Sequence, residues 1–200
     1  MNCDTQGQSS FRSCIFELID RYLLSTAGDT PLDADNAAYE SLADLTAALS
    51  IPLPRGNASS PLESKINGVK YYIGENGSSI SEFTLYFDKD GGTVKYRNPK
   101  GDKELRFGRA KYTVTEFPEY DYSGDTIRKP LGRGYDTAVC GVWESDTMFI
   151  IRADVIDDYN GNLSMIFSFK DDDVTLYIDS CAEGFIEEYN CLRTGKAVHD

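Results

Sequence analysis

Histidine is nearly absent from this chain. His199 is the only one in 200 residues, and it stands next to the C-terminal residue. A Ser–His or Cys–His nucleophile would have to recruit that one imidazole from a chain end prone to fraying. Ser-x-x-Lys does not occur either, so a serine activated by a lysine one helical turn away is excluded. The five cysteines (Cys3, Cys14, Cys140, Cys181 and Cys191) are odd in number and form no C-x-x-C pair. That spacing offers no four-ligand zinc site, and no metal or other cofactor is expected. Cys140, inside an apolar run, reads as a buried inert thiol. A disulfide such as Cys181–Cys191 stays open.

Basic residues are also scarce: 20 against 33 acids, for a net charge of −13. Duplex nucleic acid and anionic membranes both demand clustered Lys and Arg, so neither is an expected partner. The one local cluster, Lys95, Arg97, Lys100 and Lys103, falls among turn signals and reads as a solvated rim. No apolar stretch is long enough to span a bilayer as a helix, and the first residues lack a basic-then-apolar leader pattern. The chain as given reads as cytoplasmic.

What is present points to a folded, mostly β protein. A hydrophobic share of 40% and a charged share of 26% are ordinary globular usage, which excludes disorder. Thirteen Tyr and ten Phe suit a sheet with one buried face. The first part differs from the rest. Phe11, Cys14, Ile15, Leu18, Ile19, Tyr22 and Leu23 recur at helical spacing until Gly28 stops them. A second helix is predicted over Asp35 to Leu49, with Tyr39, Leu42, Leu45 and Leu49 on its apolar face. The stretch 51–61, with three prolines, reads as a linker. The predicted organisation is a helical lead-in and linker over residues 1–61 and a β domain over 62–200.

After Pro61 the apolar period becomes two. Strands are predicted at 66–73, 80–87, 93–96, 103–107, 111–116, 135–142, 147–156, 162–170 and 174–179, separated by Asp-, Asn- and Gly-rich turns. Ala182 to Leu192 reads as a short helix or ordered tail. A meander with one apolar face protects its edges most simply by closing. The predicted fold is therefore a lipocalin-like, antiparallel up-and-down barrel of about eight strands, preceded by two α-helices. Trp143, Tyr135 and Phe149 are candidates to line a cavity for a small apolar ligand, with ordinary core packing as the competing reading of each.

Several apparent motifs fail on their chemistry. The loops at Asp88–Gly91 and Asp158–Gly161 carry Pro99 and Phe169 where a calcium loop needs its bidentate Glu. Asp171-Asp172-Asp173 reads as a solvated turn, and Gly132-Arg133-Gly134 has no helix after it to receive a phosphate. Tyr96-Arg97-Asn98 matches a Tyr-x-Asn element only by chance.

Pro31-Leu32-Asp33-Ala34-Asp35, the Leu-rich second helix and Ile51-Pro52-Leu53-Pro54, followed by Ile66-Asn67-Gly68-Val69-Lys70-Tyr71, resemble a connector in a known family. That family is the bacterial serine β-lactamase-like, penicillin-binding-protein-related hydrolases that carry a C-terminal β extension. Trp143 with its acidic turn, Ala182-Glu183-Gly184-Phe185 and Glu188-Tyr189 extend the resemblance. It implies a non-catalytic accessory domain that packs beside a catalytic serine hydrolase domain and shapes access to its cleft. The first helix would then correspond to that domain's closing helix, free to mediate self-association. No active-site residue carries over, because the catalytic domain would precede residue 1.

Overall fold

The computed structural model describes residues 9–29, 34–74, 80–119, 134–157, 161–181 and 189–199. They form two compact units that divide at Pro52 and Leu53.

In the first unit, α1 (Ser9–Ile19) runs into one π-helical turn, Asp20–Leu24. The Ser25 and Thr26 hydroxyls then donate back to the carbonyls of Arg21 and Tyr22, satisfying acceptors that the helix end leaves open. The second helix, α2 (Asn36–Ala47), starts at Asp35, whose carboxylate accepts the Ala38 N–H at 2.9 Å. Tyr39, Leu42, Leu45 and Leu49 are all exposed.

The second unit contains a short α3 (Glu63–Ile66) and ten strands: β1 (Lys70–Tyr72), β2 (Glu82–Phe87), β3 (Gly91–Asn98), β4 (Gly101–Arg109), β5 (Thr113–Glu116), β6 (Asp136–Ser145), β7 (Met148–Val155), β8 (Asn162–Lys170), β9 (Asp173–Cys181) and β10 (Cys191–Ala197). The segment after Pro52 belongs to this unit and is no free linker. Asn57 and Trp143 exchange backbone hydrogen bonds of 2.7 and 2.8 Å, and the Ser60 hydroxyl donates to the Asp146 carbonyl.

The strands pair in the order β4-β3-β2-β1-β10-β9-β8-β7-β6, and β4 returns to β6 through Gly108–Cys140 and Arg109–Gly141. The sheet is thereby a closed, mainly antiparallel barrel of nine strands, with β5 added alongside β6. Two features refine the sequence expectation. The closing pair is parallel, so the barrel is not purely up-and-down, and β10 is a strand the sequence expectation lacked; most of the helix or tail predicted at 182–192 lies outside the described residues. Strand β10 carries almost no apolar signal because Leu192, Arg193 and Thr194 are exposed and its buried wall position is Gly195. A Cβ there would lie 2.5 Å from the Ile73 side chain and 2.6 Å from the Tyr72 carbonyl. The predicted strand at 66–73 is also divided. Its first residue ends α3, and Gly68, at φ +78°, turns the chain into β1.

The two ends of the barrel are filled differently. At the end holding the β6–β7 and β8–β9 hairpins, Trp143, Phe149, Phe87, Phe107, Phe167 and Phe169 meet ring to ring. Centroid spacings include 5.0 Å for Trp143–Phe149 and 5.3 Å for Phe107–Phe149. Gly141 makes room for this packing, since a Cβ would strike the Phe107 ring at 2.6 Å and the Phe149 ring at 2.8 Å. Ile66 of α3 and the adjoining Leu62 cover that end. Toward the other end the same walls supply smaller residues: Val139, Ala153, Val155, Leu163 and Ile178, all buried.

Candidate functional site

The aliphatic end of the barrel carries buried polar chemistry. Strand alternation turns Val94, Tyr96 and Asn98 of β3 inward, and Lys103 of β4 lies directly across from Tyr96. Two residues from outside the wall complete the group: Glu119, just after β5, and Tyr189, just before β10. Glu119 is 1% exposed, Tyr189 1% and Tyr96 3%.

A buried carboxylate is tolerated only when its oxygens are matched. Here both are. The Tyr189 hydroxyl donates to Glu119 Oε1. Asn98 Nδ2 donates to the same oxygen at 2.9 Å and reaches the Tyr189 hydroxyl at 2.5 Å. Lys103 Nζ lies 3.4 Å from Oε2, and the half-exposed Lys100 ammonium lies 3.8 Å from it. Lys103 is thus no part of a solvated rim, being only 13% exposed and committed to Glu119.

One group in the cluster is left over. The buried Tyr96 hydroxyl lies beside the Tyr189 hydroxyl but outside good hydrogen-bonding geometry, and its ring packs edge-on against Tyr189 at 6.1 Å. Burial pushes the Tyr96 phenol far above its usual range; the nearby Tyr189 hydroxyl offsets part of that rise and the Glu119 charge adds to it. Burial does the same to Tyr189, reinforced by Tyr96 and Glu119. Both phenols are held neutral, so the cluster offers hydrogen bonds rather than proton transfer.

The structure separates the three residues singled out from sequence. Trp143 and Phe149 are in contact at the sealed aromatic end. The Trp143 indole N–H donates to Glu63 Oε1 at 2.8 Å, and Arg109 holds the same carboxylate at 2.7 and 2.9 Å. Tyr135 is buried toward the opposite end, eight residues earlier on the way into β6, a distance of about 26 Å for extended chain. Glu119 carried no sequence signal and Tyr189 only its place in the resemblance, because each sits outside a strand in a segment without periodicity. Tyr96 ended the predicted strand 93–96 and Asn98 read as part of the following turn, whereas β3 continues through Asn98 and turns both inward.

Other candidates resolve as structural. Cys140 is fully buried, and burial pushes its thiol up to about 11. His199 pairs with Asp172 at 3.1 Å on an exposed turn. The Cys181 side chain lies outside the described residues, and with it the Cys181–Cys191 pairing, as does the Asp158–Gly161 loop. A groove of about 470 Å3 on the outer face of β2–β4 is bordered by charges that answer one another: Lys70 with Glu82, Lys95 with Glu104, and Arg97 with Asp102. Among the described residues there is no group of three or more His, Cys, Asp or Glu placed to hold a metal, and no helix long and apolar enough to cross a membrane.

No protein-family model and no curated protein matches the sequence. Solved structures similar to this chain include the fatty-acid-binding protein isolated from Manduca sexta L, at 12% identity and a TM-score of 0.34, covering 59% of this chain and 74% of that one. Human cRBP IV is similar at 10% identity and a TM-score of 0.38, covering 66% of this chain and 98% of that one. Superpositions this loose carry no weight for what the present chain binds.

Proposed function

We propose that this chain is a non-catalytic, stand-alone, lipocalin-like barrel that binds a small, largely apolar ligand at the end opposite the Trp143 plug. The observation that supports this reading is the unequal filling of the closed barrel: aromatic rings seal the Trp143 end, while the walls toward the opposite end carry the smaller Val139, Ala153, Val155 and Leu163 beside a buried polar cluster. The test is displacement of a fluorescent apolar probe from the purified barrel. Saturable, one-to-one displacement by a long-chain amphiphile is expected, and strictly non-saturable partitioning would contradict the reading.

A second reading keeps the resemblance to the serine β-lactamase-like hydrolases. There the chain is an accessory domain beside a catalytic module, and the parent protein is a serine hydrolase. It is favoured by one observation: Tyr39, Leu42, Leu45 and Leu49 of the first unit are 56–73% exposed, a face that a neighbouring domain would cover. Self-association through the first helix belongs to the same reading. Co-purification of the chain with a separately expressed catalytic module of that family would support it, and a monodisperse, non-interacting monomer would weigh against it.

A further inference from the structure

We infer that β5 and the three residues after it form a strap, hinged at Ala110 and latched by Glu119, that swings out while the nine barrel strands stay paired. The inference stands whatever the barrel binds. Strand β4 is paired with β3 along its length but meets β6 only at Gly108–Cys140 and Arg109–Gly141. Beyond that contact β4 leaves β6, and β5 takes the place beside β6. Among the described residues β5 pairs with β6 alone, and no strand pairing joins it to β4. The hinge end is tightly fixed. A Cβ on Gly108 would stand 2.3 Å from the Lys111 carbonyl and 2.6 Å from the Thr113 hydroxyl. Ala110, at φ +48°, makes the turn and donates its N–H to the Gly141 carbonyl at 2.9 Å. At the far end side chains do the joining. Glu119 reaches Lys103 of β4 at 3.4 Å and Asn98 of β3 at 2.9 Å, and accepts from Tyr189. The strap buries one large apolar side chain, Phe117, whereas Val114 is 65% exposed. A latch made of buried charges also differs from an apolar seal. Separating Glu119 from Lys103 returns both charges to water, which offsets much of the lost attraction. The strap is therefore the segment that opens before the rest, from Glu119 toward Ala110, admitting solvent beside Lys103.

The experiment is native-state amide hydrogen exchange on the full chain, read residue by residue by NMR. The Phe117 amide, bonded to the Tyr135 carbonyl at 2.7 Å, reports the strap; Ala110 reports the hinge and the amides of β8 the barrel. In the unaltered chain Phe117 is expected to exchange at least about tenfold faster than Ala110 and β8. Glu119→Gln keeps the size and an acceptor but removes the charge. It should speed Phe117 about tenfold further and leave Ala110 and β8 unchanged. Tyr189→Phe, which removes one donor to Glu119, should act in the same direction. Exchange of Phe117 in step with β8 in the unaltered chain would overturn the inference, and that comparison needs no variant to fold. An equal acceleration of all amides in Glu119→Gln would also overturn it, since Glu119 would then support the whole barrel. So would acceleration of Ala110 to the same degree as Phe117, or no change at Phe117.

Discussion

The indole N–H of Trp143 donates to Oε1 of Glu63 at 2.8 Å, joining residues 80 apart in sequence, and Arg109 closes on the same carboxylate. This contact fastens α3 over the aromatic end of the barrel, and it makes Glu63 the most exposed point of failure in the fold. Glu63→Ala would leave the buried Trp143 N–H without its acceptor and the mostly buried Arg109 guanidinium with only the Ala58 and Asp88 carbonyls. With Glu63 and Arg109 still 16–18% exposed, the expected loss is about 2–3 kcal/mol, below that of a fully buried pair. Urea unfolding should show a lower midpoint at constant slope, and a loss under about 0.5 kcal/mol would remove the clasp from the account.

The opposite sign is expected at the other end. Tyr96→Phe removes a buried hydroxyl that makes no well-formed hydrogen bond and keeps the ring that packs on Tyr189. The unliganded chain should gain about 1 kcal/mol in the same unfolding experiment. A loss of that size would mean that the hydroxyl is already satisfied in the free protein.

Alkaline pH should unfold the barrel. The folded Cys140 thiol is pushed up to about 11, while an unfolded thiol ionises at about 8.5. A folded value above the unfolded one means a contribution fully present below about 8.5 and lost as pH rises through 11. The raised Tyr96, Tyr189 and Tyr112 phenols act in the same direction at higher pH, where unfolded tyrosine ionises. Cys140→Ala should therefore flatten the first part of the decline. Rapid reaction of the native Cys140 thiol with a disulfide reagent at neutral pH would contradict its burial.

Deleting residues 1–52 should leave the barrel's melting temperature nearly unchanged, because the compact units divide at Pro52 and Leu53. The deletion should also abolish any self-association seen in sedimentation, since it removes the exposed Tyr39, Leu42, Leu45 and Leu49. An unfolded truncation product would show that the helices complete the barrel's core.

The barrel was legible wherever burial repeats every second residue. Leu163, Met165, Phe167 and Phe169 announce β8, and Phe149, Ile151, Ala153 and Val155 announce β7, because one face of each is interior. β10 was hidden because its place in the wall demands a glycine and exposes its larger side chains. The division of the chain was read nine residues late. Prolines that signal a linker instead sit in an extended segment paired to Trp143. Tyr135, Trp143 and Phe149 were visible in the sequence as aromatics in apolar β runs. Which end of the barrel each would occupy depends on closure through Gly108 and Gly141, a long-range pairing without local pattern. Glu119 became significant only once the fold carried it 21 residues back onto Asn98.

The most direct test of the account is an amide NMR correlation spectrum of the full chain titrated with dodecanol. Saturable shifts are expected at the amides of Tyr96, Lys103, Glu119 and Tyr189, with the Trp143 indole N–H unmoved because Glu63 holds it in the sealed end. Shifts centred on the Trp143 indole, or no saturable shift at any amide, would contradict the account.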